Sequence, residues 1–282
     1  MTITEESIEV GVNKWFYRQL SPEKTNDNPP VLFLHGLPSM GFTWCEIMPL
    51  LAEKGFQAIA PDWLGHGFSS KPDPRDFPYT PDAYIQALEA LITALEWEKF
   101  SLVVQGFLGS VGINYALRNP DKIERLIILN APLSTNAKLP WKMSQWGIPF
   151  VGDMLTQDPL LVDRTLEGGS GFVISDQNLD VYRRPFLQSS SAGRSLVATI
   201  KNLKLSSSMA ELESGLPKFG VQTQIIWGMA DPWLVASDAE TLASSNPRIE
   251  LVKLNEAKHY PQEHFPQEVG ELIVNFLRRQ TL

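Results

Sequence analysis

The residues of this chain that could carry out acid–base or nucleophilic chemistry are few. Its four histidines are His35, His66, His259 and His264, and Cys45 is its only cysteine. No group of cysteines and histidines has the spacing of metal ligands, so the sequence predicts neither a metal site nor another cofactor. A histidine beside a carboxylate can act as a general base, but such a pair needs a nucleophile or a water molecule to activate.

One stretch, residues 101–118, is predicted to place a sharp turn between a buried strand and a helix. Ser101–Val104 is a short apolar run bounded by turn residues, which is typical of a central parallel strand. Gln105–Gly109 follows as the turn, and Ser110–Arg118 is predicted to be helical. Ser110 is the only hydroxyl close to this turn. It lies one helical turn beyond it, so its side chain should point along the helix.

The elements around this stretch alternate between strand and helix, which predicts an α/β fold with a mostly parallel sheet flanked by helices. Ligands of such sheets bind at the carboxyl ends of the strands. The predicted strands are Ser7–Val10 and Lys14–Leu20 as an opening hairpin, then Val31–Leu34, Phe56–Ala60, Ser101–Val104, Arg125–Asn130, Gln222–Trp227 and Arg248–Leu254. The predicted helices are Trp44–Glu53, Tyr79–Leu95, Ser110–Arg118, one around Ser237–Ser244, and Pro266–Arg279.

Residues 132–215 interrupt the alternation, because they contain several helical patterns and no clear buried strand. We therefore predict a core made of residues 1–131 and 216–282, with 132–215 inserted as a helical cap over the carboxyl edge of the sheet. The helical pieces are predicted at Trp141–Leu155, Asp158–Leu166, Asn178–Gln188 and Ser195–Lys204. Most of the aromatic side chains are expected in the core, and those of the cap could line an apolar cleft. They are Trp44, Trp63, Trp141, Trp146, Phe150 and Trp233.

An ordered set of motifs resembles the α/β-hydrolases. The motifs are His35-Gly36-Leu37-Pro38, Pro61-Asp62-Trp63-Leu64-Gly65-His66-Gly67, the strand–turn–helix at 101–118, Gly228-Met229-Ala230-Asp231-Pro232, and Ala257-Lys258-His259-Tyr260-Pro261. The stretch LVVQGFLGSVG is similar to the nucleophile elbow of haloalkane dehalogenases, and the branch resembles those enzymes and the epoxide hydrolases. The resemblance spans nearly the whole chain.

The resemblance also implies roles for individual residues. His259, after the last strand, occupies the position of the general base, and Asp231 that of the acid which orients it. Asp231 could instead serve only as a helix cap or an Asx-turn before Pro232. The backbone amides of Leu37 and Phe107 match the donors of an oxyanion hole.

The position of the nucleophile is taken by Gly106, which has no side chain. The haloalkane dehalogenases have an aspartate there, followed by Trp-Gly-Gly, whereas this chain continues with Phe107 and Leu108. A register with Phe107 at the turn supplies no nucleophile either. The chain therefore lacks the nucleophile and the side-chain donors to the halide that dehalogenation requires. Epoxide opening uses a pair of cap tyrosines, of which only Tyr182 is present.

Composition restricts the partners. The net charge of −8 and pI near 5.1 argue against nucleic acid or an anionic membrane surface as a partner. No apolar run approaches the ~20 residues of a transmembrane helix, and the N-terminal residues lack a secretory signal. A single cysteine allows no intrachain disulfide, which fits a cytoplasmic location.

These observations leave three hypotheses. The first is an α/β-hydrolase-fold protein, monomeric or homodimeric, that binds a small apolar or amphipathic ligand under its cap and performs no covalent catalysis. Such a protein is either a pseudoenzyme or a slow acid–base catalyst. The second is a hydrolase of esters or related substrates that uses water activated by His259 and Asp231, or an unrecognised nucleophile. The third is a scaffold or assembly partner without catalysis.

Overall fold

Within residues 1–24 and 27–279, which the computed structural model describes, eight strands join into one sheet. They are β1 (Thr4–Val10), β2 (Asn13–Leu20), β3 (Val31–Leu34), β4 (Ala58–Pro61), β5 (Phe100–Gln105), β6 (Ile123–Leu129), β7 (Thr223–Gly228) and β8 (Ile249–Leu254). Their order is β1-β2-β4-β3-β5-β6-β7-β8. The pairs β1–β2 and β2–β4 are antiparallel and all other pairs are parallel.

The same part of the chain contains twelve α-helices. They are α1 (Met48–Glu53), α2 (Pro81–Ala94), α3 (Gly106–Arg118), α4 (Trp141–Ser144), α5 (Val151–Leu155), α6 (Leu160–Ser170), α7 (Asp176–Gln188), α8 (Ser190–Asn202), α9 (Leu205–Gly215), α10 (Ala236–Ser245), α11 (Pro261–His264) and α12 (Pro266–Leu277). None of these helices is long and apolar enough to cross a membrane.

The sheet is buried on both faces because its central strands are apolar throughout. Side chains of a strand alternate between faces, so Leu32 and Leu34 of β3 pack into the core on one side, and Val31 and Phe33 into the core on the other. Strands buried on both faces read as continuous hydrophobic runs, which is why the sequence predicts them well. The predicted α/β-hydrolase fold, with a mostly parallel sheet and a helical insertion after β6, is confirmed.

Helix boundaries follow local signals where those signals exist. Thr80 caps α2 by accepting a hydrogen bond from the Ala83 amide, and Pro81 occupies the first helical position. The predicted turn Gln105–Gly109 is wrong in extent, since α3 already begins at Gly106. The predicted helix Trp44–Glu53 begins only at Met48, after a 3-10 turn.

The insertion between β6 and β7 differs from its prediction in two places. The expected helix Trp141–Leu155 is broken, because Ile148-Pro149-Phe150 separates a first helical segment from α5. The helix α9 was not predicted, since its run of serines weakens the helical pattern. The inserted helices contact the loops at the carboxyl edge of the sheet. For example, the amide of His259, in the loop after β8, donates to the carbonyl of Gly169 in α6 over 2.9 Å. The exact boundaries of core and cap stay a prediction.

Candidate active site at the β5–α3 turn

The turn between β5 and α3 requires glycine at its apex, the residue where strand becomes helix. Gln105 is extended, and Gly106 has φ +72°, a left-handed conformation that side chains rarely adopt. A Cβ built on Gly106 would lie 3.1 Å from the Gly36 Cα and 3.5 Å from the His259 Nε2. The chain at Gly36 is equally close, since a Cβ there would lie 2.9 Å from the Gln105 carbonyl oxygen. The apex therefore faces both the His-Gly motif and His259.

His259 lies in the loop between β8 and α11, and its backbone is fixed at both polar groups. Its amide donates to Gly169 of the cap, and its carbonyl accepts from the Gln105 side chain over 2.8 Å. The ring is fully buried and is enclosed by Phe107, Trp233 and Tyr260. The ring centroids of these residues lie 5.3, 4.6 and 4.8 Å from that of His259. Packing and hydrogen bonds together hold the ring in one orientation.

Asp231 contacts the other side of this histidine. Its Oδ2 lies 2.8 Å from the His259 Nδ1, and its Oδ1 accepts from the amides of Trp233 and Leu234 over 2.8 and 3.2 Å. Burial acts to raise the pKa of Asp231. The charge and hydrogen bond of His259 and the other donors outweigh it and hold that pKa below its usual value. The carboxylate thus forms the Asx-type turn and the histidine contact at once, so the two alternatives weighed from sequence coexist.

Asn130, at the end of β6, is a site residue that the sequence analysis missed. Its amide nitrogen donates to the Asp231 Oδ2 over 2.8 Å, and its Oδ1 accepts from the Gly228 amide over 2.8 Å. The only signal in the sequence was that Asn130 and Asp231 both follow predicted strands, and it is the structure that shows these strands to be neighbours. Asn130 fixes the carboxylate oxygen that contacts His259.

The second ring nitrogen of His259 has no partner among the described residues. Its Nε2 is buried and points toward the place where a side chain on Gly106 would begin. Ser110, one turn further along α3, donates instead to the Phe107 carbonyl over 2.6 Å and is buried. Burial raises the pKa of the Cys45 thiol to about 12, which disfavours a thiolate. Neither residue supplies a nucleophile at this nitrogen.

The two amides expected to form an oxyanion hole belong to the residues that follow Gly36 and Gly106, whose backbones approach each other closely. Phe107 is the second residue of α3, where helix amides have no intrahelical acceptor. Leu37 is held by its carbonyl, which accepts from the Tyr260 hydroxyl over 2.6 Å. Within residues 1–24 and 27–279, no hydrogen bond links either amide to another element. Their function as anion donors stays a prediction.

The other three histidines have different surroundings. The His35 Nε2 accepts from the Trp63 amide over 3.1 Å and its Nδ1 donates to the Gly36 carbonyl over 2.8 Å, while burial lowers its pKa to about 3. The His66 Nε2 lies within 3.3 Å of the hydroxyls of Tyr84 and Thr199. His264 stacks on Phe172. None of these contacts involves Gly106 or His259.

A buried acid links the core to the cap beside this site. Glu263 of α11 accepts from the Thr43 hydroxyl over 2.6 Å and from the Tyr182 hydroxyl. Burial raises the pKa of the carboxyl group, and the two hydroxyl donors offset only part of that effect. Tyr182 is the one cap tyrosine that was considered as a proton donor for epoxide opening, and its hydroxyl donates to Glu263 instead.

A cavity of about 810 Å³ lies in the cap next to this site; it is lined by residues between Lys138 and Gly168 and by Pro232 and Trp233, and neither Gly106 nor His259 reaches its wall. Trp141, Met143, Trp146 and Leu161 of the cap form part of its wall, and Trp233 closes it on the side of His259. The Trp233 ring thus contacts both the cavity and the histidine. The expectation that the aromatics are mostly core holds for Trp44, Trp63 and Trp146, which are buried, whereas Trp141 and Phe150 are 74% and 88% exposed. Trp141 and Trp146 line the cavity, as expected for aromatics of the cap.

Comparison with known proteins agrees with this architecture. Residues 29–266 match the family model described as the alpha/beta hydrolase fold. A cis-3-alkyl-4-alkyloxetan-2-one decarboxylase of Shewanella oneidensis is 28% identical over 270 residues, which cover 88% of this chain and 81% of that protein. Haloalkane dehalogenase 2 of Mycobacterium tuberculosis is 27% identical over 257 residues, 87% of each chain.

Solved structures give the same result for the fold. The haloalkane dehalogenase DbeA of Bradyrhizobium elkani superposes with a TM-score of 0.86 at 24% identity, over 98% of both chains. A reconstructed ancestral haloalkane dehalogenase superposes with a TM-score of 0.85 at 25% identity, over 96% of this chain and 98% of that one. With the family match over most of its length, this chain belongs to the α/β-hydrolase fold family and resembles its haloalkane dehalogenase branch.

Proposed function

We propose that this protein binds a small apolar or amphipathic molecule between its cap and the sheet, and that it forms no covalent intermediate with it. The observation that carries the proposal is Gly106 at the left-handed apex. The unpartnered Nε2 of His259 there faces a glycine instead of an oxygen or sulfur atom. An aspartate–histidine pair without a nucleophile can still hydrogen-bond a ligand or exchange a proton with it.

The cavity supports the apolar character of the ligand. Its wall carries tryptophan, methionine and leucine side chains, with Arg164, Lys138 and Lys142 among the few charged ones. Ligand sites combine such apolar walls with a small number of polar groups. Two relatives are named for alkyl-bearing molecules, a dialkyl oxetanone and haloalkanes, which agrees with a ligand that carries an alkyl chain.

The intact Asp231–His259 pair favours one second candidate, a hydrolase in which His259 activates water. Asn130 and the backbone amides of Trp233 and Leu234 hold Asp231 in its orientation, although the apex next to His259 supplies no nucleophile. In that mechanism the Nε2 of His259 takes a proton from water while Asp231 stabilises the imidazolium. The amides of Leu37 and Phe107 would receive the developing oxyanion.

Binding can be tested by filling the cavity. Gly168 lines it, and a Cβ there meets nothing within 4 Å, so Gly168→Leu should fold and occupy part of the space. Gly220→Leu is the matched control, since Gly220 has the same open surroundings away from the cavity. We expect a long-chain alcohol to shift the tryptophan emission to shorter wavelength in the wild type and in Gly220→Leu, with affinity about ten-fold lower in Gly168→Leu.

Catalysis is tested separately with a broad ester screen. The proposal expects no turnover above that of His259→Ala. Ester turnover that disappears in His259→Ala would support the second candidate instead. Absence of both ligand binding and turnover would favour the scaffold hypothesis.

A further inference from the structure

The first part of the cap exposes an unusual set of large apolar side chains. We define the cap patch as Trp141, Ile148, Phe150, Val151 and Met154. Phe150 is 88% exposed, Trp141 74% and Met154 67%. Water-exposed aromatic and aliphatic side chains grouped in so short a segment mark an interaction surface more often than chance exposure does.

The backbone at Phe150 makes this exposure more significant. Phe150 has φ +63°, a left-handed conformation that is strained for a bulky residue. A buried contact could compensate such strain in an ordinary core residue, but this ring has none. Because no buried contact accounts for the strained backbone of Phe150, the conformation favours a role in contact with another molecule.

The charge of this segment is opposite in sign to that of the whole chain. Between Arg125 and the end of the patch at Met154 the chain has two exposed lysines, Lys138 and Lys142, and one exposed acid, Asp153, so this segment carries a net charge of +1. Charges separated by more than a Debye length of about 8 Å are largely screened at physiological salt. The net charge of −8 therefore does not decide what this surface attracts.

We propose that the cap patch docks the protein onto the surface of a lipid bilayer that contains anionic lipids. Tryptophan and phenylalanine side chains enter the interfacial region, and Lys138 and Lys142 contact the headgroups. Trp141, Lys138 and Lys142 also line the cavity, so its wall is continuous with the docked surface. An apolar ligand could then pass between bilayer and cavity with little exposure to water.

A second copy of the chain fits this surface less well. Most homodimers are symmetric, and a symmetric contact through the patch offers the two lysines of each copy a single acid of this segment, Asp153. At least one lysine of each copy would then lack an acidic partner from this segment. An anionic membrane offers the apolar side chains an apolar environment and the lysines negatively charged headgroups.

The experiment measures sedimentation of the full chain with vesicles of phosphatidylcholine alone or mixed with phosphatidylglycerol, without any cavity ligand. Phe150→Asn removes the ring and tolerates the left-handed backbone, so it should fold at least as well as the wild type. Lys138→Glu/Lys142→Glu reverses the local charge. Val12→Asn, at an exposed turn on the sheet side, and Lys14→Glu/Lys54→Glu are the matched controls.

We expect the wild type and both controls to bind the anionic vesicles, and high salt to weaken that binding. The lysine pair variant should lose about ten-fold or more in partitioning, and Phe150→Asn should also bind less. Failure of the wild type to bind, equal binding to uncharged vesicles, or equal losses in the controls would overturn the proposal. So would a wild-type dimer that Phe150→Asn dissociates, because the patch would then belong to a second copy. Ligand binding is measured separately, so failure here leaves the proposed function standing.

Discussion

Two parts of the molecule combine a buried aspartate with a buried histidine, and they differ in what their polar atoms contact. In the first, Asp62 follows β4 and accepts from the amides of Gly41 and Phe68 over 2.7 and 2.8 Å, while both ring nitrogens of His35 have backbone partners. In the second, Asp231 holds only one nitrogen of His259, and the other is left without a partner.

The difference separates a structural role from a candidate functional one. The Nε2 and the carbonyl of His35 accept from the amide and the indole of Trp63, which joins the loop after β3 to the loop after β4, while its Nδ1 donates to the Gly36 carbonyl. Burial lowers its pKa to about 3, so it stays neutral. His259 is equally buried, yet its Nε2 is kept unpaired at a cost, since a buried polar atom without a partner destabilises a fold. Other buried atoms, such as the His264 Nδ1, also lack a partner among the described residues, and what distinguishes the His259 Nε2 is that it faces the Gly106 apex.

The largest effect is expected from removing the structural aspartate. Asp62→Ala leaves two buried amides without an acceptor and Arg18, 1% exposed, without its buried partner at 3.4 Å. Breaking such a buried pair should lower the free energy of unfolding by about 3–5 kcal/mol, measured by urea denaturation. Asp73→Ala, which breaks an exposed pair with Arg75, is the control and should have a much smaller effect. Similar effects in the two variants would contradict the structural role of Asp62.

The next largest effect is expected when acid lowers the free energy of unfolding by protonating the buried histidines His35 and His66. A histidine whose folded pKa lies below its unfolded value of ~6.5 contributes stability that is present above that pH and is lost as the pH falls. For His35, with a folded pKa of about 3, the loss between pH 7 and pH 5 is about 2 kcal/mol, and the lowered pKa of His66 adds to it. Urea midpoints at the two pH values measure it.

His35→Gln tests the assignment of this acid effect. The variant should be less stable at pH 7, because its side chain replaces two hydrogen bonds imperfectly, but its stability should fall less between pH 7 and pH 5. An unchanged pH dependence in His35→Gln would place the acid sensitivity elsewhere in the molecule.

The apex of the candidate site should give the next largest effect. Gly106→Ser forces a side chain into φ +72° at 3.1 Å from the Gly36 Cα, which should cost about 1–3 kcal/mol. Gly11→Ser is the matched control, because Gly11 has φ +61° but nothing within 4 Å. It isolates the backbone strain from the close contact, and should cost less.

The same variant tests whether the candidate site is complete apart from its nucleophile. A serine at 106 starts its side chain 3.5 Å from the His259 Nε2, so a burst of ester hydrolysis in Gly106→Ser that is absent in Gly106→Ser/His259→Ala is expected. A Gly106→Ser protein at least as stable as the wild type would show that residue 106 is not a strained apex.

The smallest effect is expected at Ser110. Its hydroxyl donates to a carbonyl of its own helix, so Ser110→Ala should change the free energy of unfolding by less than about 1 kcal/mol. Fluorophosphonate probes should label neither the wild type nor the variant, as judged by intact mass. Stoichiometric labelling of the wild type that is absent in Ser110→Ala would identify Ser110 as a nucleophile. It would contradict the interpretation of the Asp231–His259 region as a site without one.

The sequence determined the sheet and the order of the motifs along it. Continuous apolar runs such as Val31–Leu34 identify strands buried on both faces, and the motifs containing Gly106, Asp231 and His259 follow strands in a recognisable order. Such patterns are local, so they survive in a single sequence. They also indicated that the apex lacks a nucleophile, because a missing side chain is visible without a structure.

Only the tertiary structure decided which of these residues meet. The contact of Asn130 with Asp231 depends on β6 and β7 being neighbours. The position of His259 depends on hydrogen bonds with Gln105, Gly169 and Asp231, which are far apart in the chain. The exposure of Trp141 and Phe150 was equally hidden, since a four-residue helix and a broken one give no periodicity from which to choose a face. Distances between elements far apart in the chain are set by sheet order and packing, which no local pattern encodes.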